Sequence, residues 1–220
     1  SENIFEDRTN ISEEIKNNLI FTEKDLYINQ DLSNIYIKTK FLAERLILEN
    51  ILNNNLNAKI IRLGNITNRF SDGAFQINVS ENAFLNRIHS FLQIGQVPES
   101  LRNLTIEFSP VDICATAIVN LSVYKNPFTI FHVYNQNYIT FEKLVKIFNT
   151  LNIKMDFVDD NVFNKTVENL SKKDETKHII SGIINDFNKD KQIQYVSNIK
   201  MNNSFTNKYL GRILFKWPKI

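Results

Sequence analysis

Cysteine is almost missing from these 220 residues. Cys114 is the only one, so no intrachain disulfide can form, and the usage fits a reducing, cytoplasmic compartment. Glycine is scarce too, and Gly64, Gly73, Gly95, Gly182 and Gly211 are spread too widely to build a glycine-rich loop. No stretch rich in Pro, Gly or Ser marks a linker. Apolar runs fall short of the roughly 18 residues that a membrane span requires, and no signal peptide opens the chain. Charge of neither sign dominates. The net charge is +2 with both signs mixed, which leaves no basic stripe for nucleic acid and no polybasic run for a membrane surface. His89, His132 and His178 are scattered without ligand spacing, which speaks against a metal site.

What remains is a globular composition: 43% hydrophobic and 23% charged residues, enough for one large domain or a core with a subdomain. A turn is expected at Thr22-Glu23-Lys24-Asp25. The longest helix is expected from about Ser33 to Asn53, capped by Asp31 or Ser33 and ended by Asn53-Asn54-Asn55. Its apolar residues (Ile35, Phe41, Leu42, Leu46, Ile47, Ile51, Leu52) cover more than one stripe, which predicts a helix covered on much of its surface by a sheet. A strand follows at Ala58 to Leu63, then a polar loop with Arg69, Asp72 and Gly73. A helix over Glu81 to Ile94 is expected, with Ser80 as cap and Gly95 just past its end. A short strand at Thr105 to Ser109 precedes a helix opened by Pro110-Val111-Asp112, with Asp112 as N-cap. The densest β pattern is Phe128 to Tyr134. Thr140 then caps a helix from Phe141 to about Leu151, followed by a strand at Met155 to Val158. Helical patterns cover 160–170 and 176–188. An extended piece lies at Gln192 to Val196 and a last helix at Ser204 to Leu214. Helices alternating with strands make an α/β chain with a parallel sheet.

One stretch carries chemistry by itself. Tyr36 and Lys40 stand four residues apart near the start of the longest helix, so they lie one turn apart on one face. An ammonium in that position favours the tyrosinate, and a phenol so tuned can pass a proton to a carbonyl oxygen. None of the other six tyrosines has a Lys four residues on.

The order of landmarks resembles a known family. Tyr36-Ile37-Lys38-Thr39-Lys40-Phe41-Leu42-Ala43-Glu44 is similar to a Y-x-x-S-K-[WF]-x-A-E run, with Thr39 in place of Ser. Next come Arg62-Leu63-Gly64-Asn65-Ile66, Gln93-Ile94-Gly95-Gln96-Val97-Pro98 (similar to q-x-G-x-x-P), Pro110-Val111-Asp112 and Phe131-His132-Val133-Tyr134-Asn135. The ending, Tyr209-Leu210 through Phe215-Lys216-Trp217-Pro218, resembles Y-L-x-x-x-G-F-x-W-P. This series looks like the C-terminal part of an extended short-chain dehydrogenase/reductase, and within it like the terminal thioester reductase domains of nonribosomal peptide synthetases. Leu63 departs from the family's usual Pro after Arg, and the run Pro110 to Ala115 departs from V-D-x-V-A.

The resemblance implies a fold and a set of roles. The fold would be the C-terminal part of a doubly wound Rossmann-like sheet plus a mostly helical substrate-side subdomain. The reductase core would span 1–134 with a substrate-side insertion at about 67–104, and the helical subdomain 135–220. Tyr36 and Lys40 would be the catalytic pair, with Lys40 also on the nicotinamide ribose. Leu63, Gly64, Asn65 and Ile66 would form the loop beneath the nicotinamide of NADPH. Phe75, Asn78, Phe84 and Ile88 would line an acyl channel. Cys114 is expected in the core. The partner would be a carrier domain bearing an acyl or peptidyl thioester on phosphopantetheine.

The family's G-x-x-G-x-x-G pyrophosphate turn has no counterpart here, and Ser12 and Thr22 are the only nearby candidates for its catalytic Ser/Thr. The expectation is therefore a fragment that starts with Ser1 after the dinucleotide-binding half and is inactive alone. Its open sheet edge and uncovered helix face would permit association between copies. Two other readings stay open: a carrier-docking module without chemistry, and a piece of a sugar-nucleotide epimerase or dehydratase of the same superfamily.

Overall fold

A computed structural model describes residues 20–27, 32–33, 35–75, 81–123, 129–184 and 200–219. Ser80, Asn78 and the extended piece expected at 192–196 lie outside the described residues. The strands are β1 (Ile20–Phe21), β2 (Ile60–Leu63), β3 (Ile66–Thr67), β4 (Gln96–Pro98), β5 (Thr105–Ile106), β6 (Ser109–Pro110), β7 (Ile130–Val133), β8 (Ile139–Thr140), β9 (Asp156–Val158) and β10 (Lys200–Met201). The helices are α1 (Ile35–Asn54), α2 (Ala83–Ile94), α3 (Val111–Val123), α4 (Phe141–Thr150), α5 (Asp160–Ser171) and α6 (Ser204–Gly211), with a 3₁₀ turn over Asp174–Ile180. Among the described residues four of the five strand pairs are parallel, β1 with β10, β2 with β7, β3 with β6 and β4 with β9, and β5 and β8 run antiparallel. The fold is α/β and Rossmann-like.

The chain forms two compact units, each discontinuous in sequence. One comprises 1–64, 114–134 and 197–216, and the other 65–113, 135–196 and 217–220. The 67–104 region falls in the same unit as 135–196.

In the first unit β2 lies parallel to β7, in register from Ile60 with Ile130 to Leu63 with Val133. β-branched and aromatic residues make this pair, and Phe131 and Val133 are fully buried. The rings of Phe205 and Tyr209 in α6 stand 6.2 and 6.3 Å from Phe131. The Thr22–Asp25 turn is present: Asp25 N–H donates to Thr22 O (3.1 Å), and the Asp25 carboxylate accepts the N–H and hydroxyl of Thr22. Cys114 is buried, as expected of a core thiol.

Helix α1 departs from expectation. None of its residues is buried, and Ile35, Leu46 and Leu52 are exposed together with Tyr36. The physical reason is the size of the sheet. Among the described residues β2 pairs with β7 alone, and two strands offer too little surface to cover a 20-residue apolar helix.

The second unit holds the larger core. Phe91 of α2 meets Phe141 of α4 edge to face at 5.7 Å and Phe163 of α5 at 5.8 Å, around Val97, Met155 and Ile180. Each such side chain contributes about 1.5–3 kcal/mol by burial. Caps fix the helix ends: Thr140 accepts the Lys143 N–H, and Gly95 closes α2 in a left-handed conformation (φ 72°). Asn82, not Ser80, caps α2 by accepting the Leu85 N–H (2.9 Å). The strand expected over 105–109 is two, because Thr105–Ile106 pairs with β8 while Ser109–Pro110 pairs with β3. Gly182 packs so close to α2 that a Cβ there would stand 2.2 Å from the Asn86 carbonyl oxygen.

Candidate active site

Tyr36 and Lys40 share one face of α1, as the spacing requires. The Lys40 ammonium lies over the Tyr36 ring, 5.4 Å from its centroid, and the phenol is 70% exposed. Contact with the ring face is a cation–π arrangement that holds the two side chains together by about 0.5–1 kcal/mol at an exposed site. Thr39, standing where the resembling run has Ser, turns its hydroxyl back onto the Tyr36 carbonyl (2.9 Å).

What holds α1 in place is a group of residues to which sequence reasoning assigned no role. Glu44, two turns beyond Tyr36, receives the Arg62 guanidinium of β2 through three contacts: Nε to Oε1 and Oε2 at 3.0 and 3.1 Å, and Nη2 to Oε2 at 2.6 Å. Arg62 Nη1 reaches His132 Nε2 on β7 at 3.0 Å, and His132 Nδ1 meets the Asn202 carbonyl at 2.9 Å. Arg62 can only donate and a carbonyl can only accept. The His132 ring is therefore neutral, with its proton on Nδ1. The Phe21 ring backs the guanidinium at 4.6 Å.

Burial pushes the His132 pKa down from its ordinary value. The Arg62 charge adds to this, while the Asn202 carbonyl, Glu23 and Glu44 oppose it. Glu23, itself buried, takes both the main-chain N–H and the hydroxyl of Thr206 (3.0 and 2.7 Å), and the Thr206 hydroxyl accepts the main-chain N–H of His132 (2.9 Å).

The predicted cofactor loop is split between the two units. Leu63 ends β2 beside Val133, and Gly64 N–H donates to the Val133 carbonyl (3.2 Å). These are the C-terminal ends of parallel strands, where α/β sheets bind ligands. Asn65 and Ile66 belong to the second unit. There Asn65 N–H donates to Glu107 Oε2 (2.7 Å), its carbonyl accepts the Ser109 N–H (3.0 Å), and Ile66 enters β3. The other Glu107 oxygen accepts the Ser109 hydroxyl, whose oxygen in turn accepts the buried Asn135 N–H (2.9 Å). Desolvation raises the Glu107 pKa, and hydrogen bonds from Ser109, Asn65 and Asn135 partly offset it.

The remaining candidates are placed as follows. Asp112, expected as an N-cap, lies inside the first turn of α3, and its carboxylate instead accepts the Phe70 and Ser71 N–H groups (2.9 and 3.1 Å). Burial alone would raise its pKa. Donation from Phe70, Ser71 and Ile113 outweighs that and lowers it. Phe84 sits edge to face with Phe108 at 5.3 Å, Ile88 is in the hydrophobic core, and Phe75 is half-buried. No group of three His, Cys, Asp or Glu among the described residues could hold a metal. No described helix is long and apolar enough to cross a membrane.

The Rossmann-like α/β fold is that of thioester-reductase-type short-chain dehydrogenases/reductases. The chain belongs to the NAD-binding male sterility protein family, whose sequence profile matches residues 2–118. No curated protein matches it. Among solved structures it is 34% identical to a thiolation-reductase di-domain from an archaeal non-ribosomal peptide synthetase, with TM-score 0.77, covering 91% of this chain and 41% of that one. It is 29% identical to the reductase domain of the aureusimine biosynthetic cluster, with TM-score 0.70 and coverage of 92% and 51%. A reductase domain of a non-ribosomal peptide synthetase from Mycobacterium tuberculosis shares the fold, at 18% identity and TM-score 0.64, covering 84% and 46%. The chain thus spans about half, or less, of the length of these relatives.

Proposed function

We propose that this chain is the Tyr/Lys-bearing and substrate-side portion of an NADPH-dependent thioester reductase that releases a carrier-bound acyl or peptidyl thioester as an aldehyde. The observation that carries the reading is the Tyr36–Lys40 pair, exposed on one helix face, in a chain of this family. The pair fits the nicotinamide–ribose end of a dinucleotide, since an ammonium can bond ribose hydroxyls while the phenol beside it faces the substrate carbonyl. No residue of this chain is assigned to the pyrophosphate, because no glycine-rich strand-to-helix turn lies among the described residues.

When bound, the nicotinamide supplies hydride to the thioester carbon. Tyr36 gives its proton to the carbonyl oxygen as negative charge builds there, and Lys40 stabilises the phenolate that remains. Loss of the pantetheine thiol from the resulting hemithioacetal leaves the aldehyde, and a second reduction would give the alcohol. Asn65 and Ile66, with Leu63 and Gly64, support the nicotinamide side. Phe75 and Phe84 are assigned to the acyl side, as is Asn78, which lies outside the described residues, with the buried Ile88 as core support behind Phe84.

NADPH oxidation with an acyl-loaded carrier domain tests this. The isolated chain is expected to stay at background. A chimera carrying it in place of the matching part of the archaeal thiolation-reductase protein should turn over, and Tyr36→Phe should abolish that turnover without weakening carrier binding. Full turnover by the isolated chain would refute the assignment of the cofactor cradle elsewhere, and an active Tyr36→Phe chimera would refute the proton-donor role. A second reading, docking of a carrier domain without chemistry, draws on the archaeal relative, in which a thiolation domain accompanies the reductase. Absence of saturable carrier binding by the isolated chain would count against it.

A further inference from the structure

In the second unit a chain of polar contacts runs from the exposed Asn65 through the half-buried Glu107 to the buried Ser109 and Asn135. Glu107 lies between β5 and β6, in the two-residue gap that breaks the expected strand. Its Oε2 accepts the Asn65 N–H at 2.7 Å and its Oε1 accepts the Ser109 hydroxyl, whose oxygen accepts the Asn135 N–H at 2.9 Å. Ser109 and Asn135 are fully buried, so these donors have no water to turn to. Beyond them, Asn135 Nδ2 and Asn137 Nδ2 both donate to the Pro218 carbonyl (3.1 and 2.9 Å), and Asn135 Oδ1 accepts the Asn137 N–H (3.0 Å).

Two donors each take one carboxylate oxygen, a third (Asn135) follows through the Ser109 hydroxyl, and none of these groups is charged. A neutral amide at this position would offer one acceptor oxygen and would turn an N–H₂ toward a donor. Asn65 and Asn135 each come within two residues of the C-terminal end of a strand, β2 or β7, which is where ligands bind in such sheets.

We infer that Glu107 is a positioning residue: its carboxylate fixes the Asn65 main chain, and through Ser109 that of Asn135, so that the Asn65 turn is held ready for a nicotinamide cofactor. The last clause rests on the reductase reading above; the clamp itself does not.

Amide hydrogen exchange by NMR on the full chain, with NADPH as the probe ligand, separates the two. In Glu107→Gln the protection of the Asn65 and Asn135 amides should fall about tenfold, while the amides of Phe91 and Val97 in the same unit keep theirs. Ser109→Ala should loosen Asn135 and leave Asn65 protected, and Glu107→Asp should partly restore Asn65. Unchanged Asn65 protection in Glu107→Gln overturns the clamp. So does an equal loss at Phe91 and Val97, which would make Glu107 a general stability residue. Millimolar NADPH is expected to shift the Asn65 resonance in the wild type and to shift it less in Glu107→Gln. No shift in the wild type would overturn the cofactor clause, while the exchange data would still decide the clamp and the chimera assay would still decide the reductase reading.

Discussion

Leu214 has a backbone conformation that a leucine seldom adopts. Its φ is 60°, in the left-handed region, and its side chain is 85% exposed. The cause lies in the ending of α6. Leu214 N–H bonds the Gly211 carbonyl (3.1 Å) and Phe215 N–H the Leu210 carbonyl (3.2 Å), which together form a Schellman closure with Leu214 at the position that favours glycine. In the closing pattern Y-L-x-x-x-G-F-x-W-P that Tyr209 to Pro218 resembles, glycine stands at this very place. A left-handed residue with a Cβ costs about 1–2 kcal/mol, and the greater freedom of glycine in the unfolded chain takes back part of that. Leu214→Gly should therefore raise the unfolding free energy by about 0.5–1 kcal/mol, read as a higher urea midpoint at unchanged slope. A lower midpoint would mean that the leucine side chain makes a contact worth more than the strain.

At the scale of elements, the Arg62–Glu44 pair is the link between α1 and the sheet. With side chains 11% and 22% exposed, it is shielded enough to exceed a surface ion pair yet not fully removed from water. A double-mutant cycle with Glu44→Gln and Arg62→Met should give a coupling of about 1–2 kcal/mol, and each single change should loosen the helix that carries Tyr36. Additive effects would show that α1 is held by something else. Glu44 and Arg62 were both visible as members of ordered landmarks, but their partnership was not, since 18 residues separate them and His132 stands 70 beyond Arg62. The same limit explains Glu107, whose donor Asn65 is 42 residues away.

Local signals were legible. Thr140 and Gly95 end their helices as the capping chemistry of Thr and Gly dictates, and the Thr22–Asp25 turn closes on its own side chains. Pairs such as β1 with β10 or β4 with β9 were not, because two- and three-residue strands owe their existence to a distant partner rather than to any pattern of their own. Tyr36 and Lys40 could be placed on one helix face from spacing alone, whereas the exposure of that helix depends on how many strands lie beside it.

At the scale of the whole molecule, the two units carry titrating groups of opposite sign, and acid should drive their stabilities apart. His132, in the first unit, has a folded pKa below its ordinary 6.5, with burial as the main cause. The unfolded chain therefore takes up that proton first. The stabilisation is present above 6.5 and is lost as the pH falls toward the folded value. Glu107, in the second unit, has a folded pKa above its ordinary 4.5, again mainly through burial. Its folded form holds the proton more tightly, so its contribution is complete below 4.5 and is lost as the pH rises through the folded value. Asp112 acts with the opposite sign to Glu107 in the same unit, but its lowered pKa confines it to the range below 3.8. Between pH about 7.5 and about 5, acidification should weaken the first unit and spare or strengthen the second. Exchange protection corrected for intrinsic rates tests this: it should fall at Phe131 and Val133 and hold or rise at Phe91 and Val97. Replacing His132 by Asn should flatten the acid-side loss at Phe131, and Glu107→Gln should flatten any gain at Phe91. A parallel fall at all four amides would instead mean that the two units unfold as one cooperative body, with neither group governing its own half.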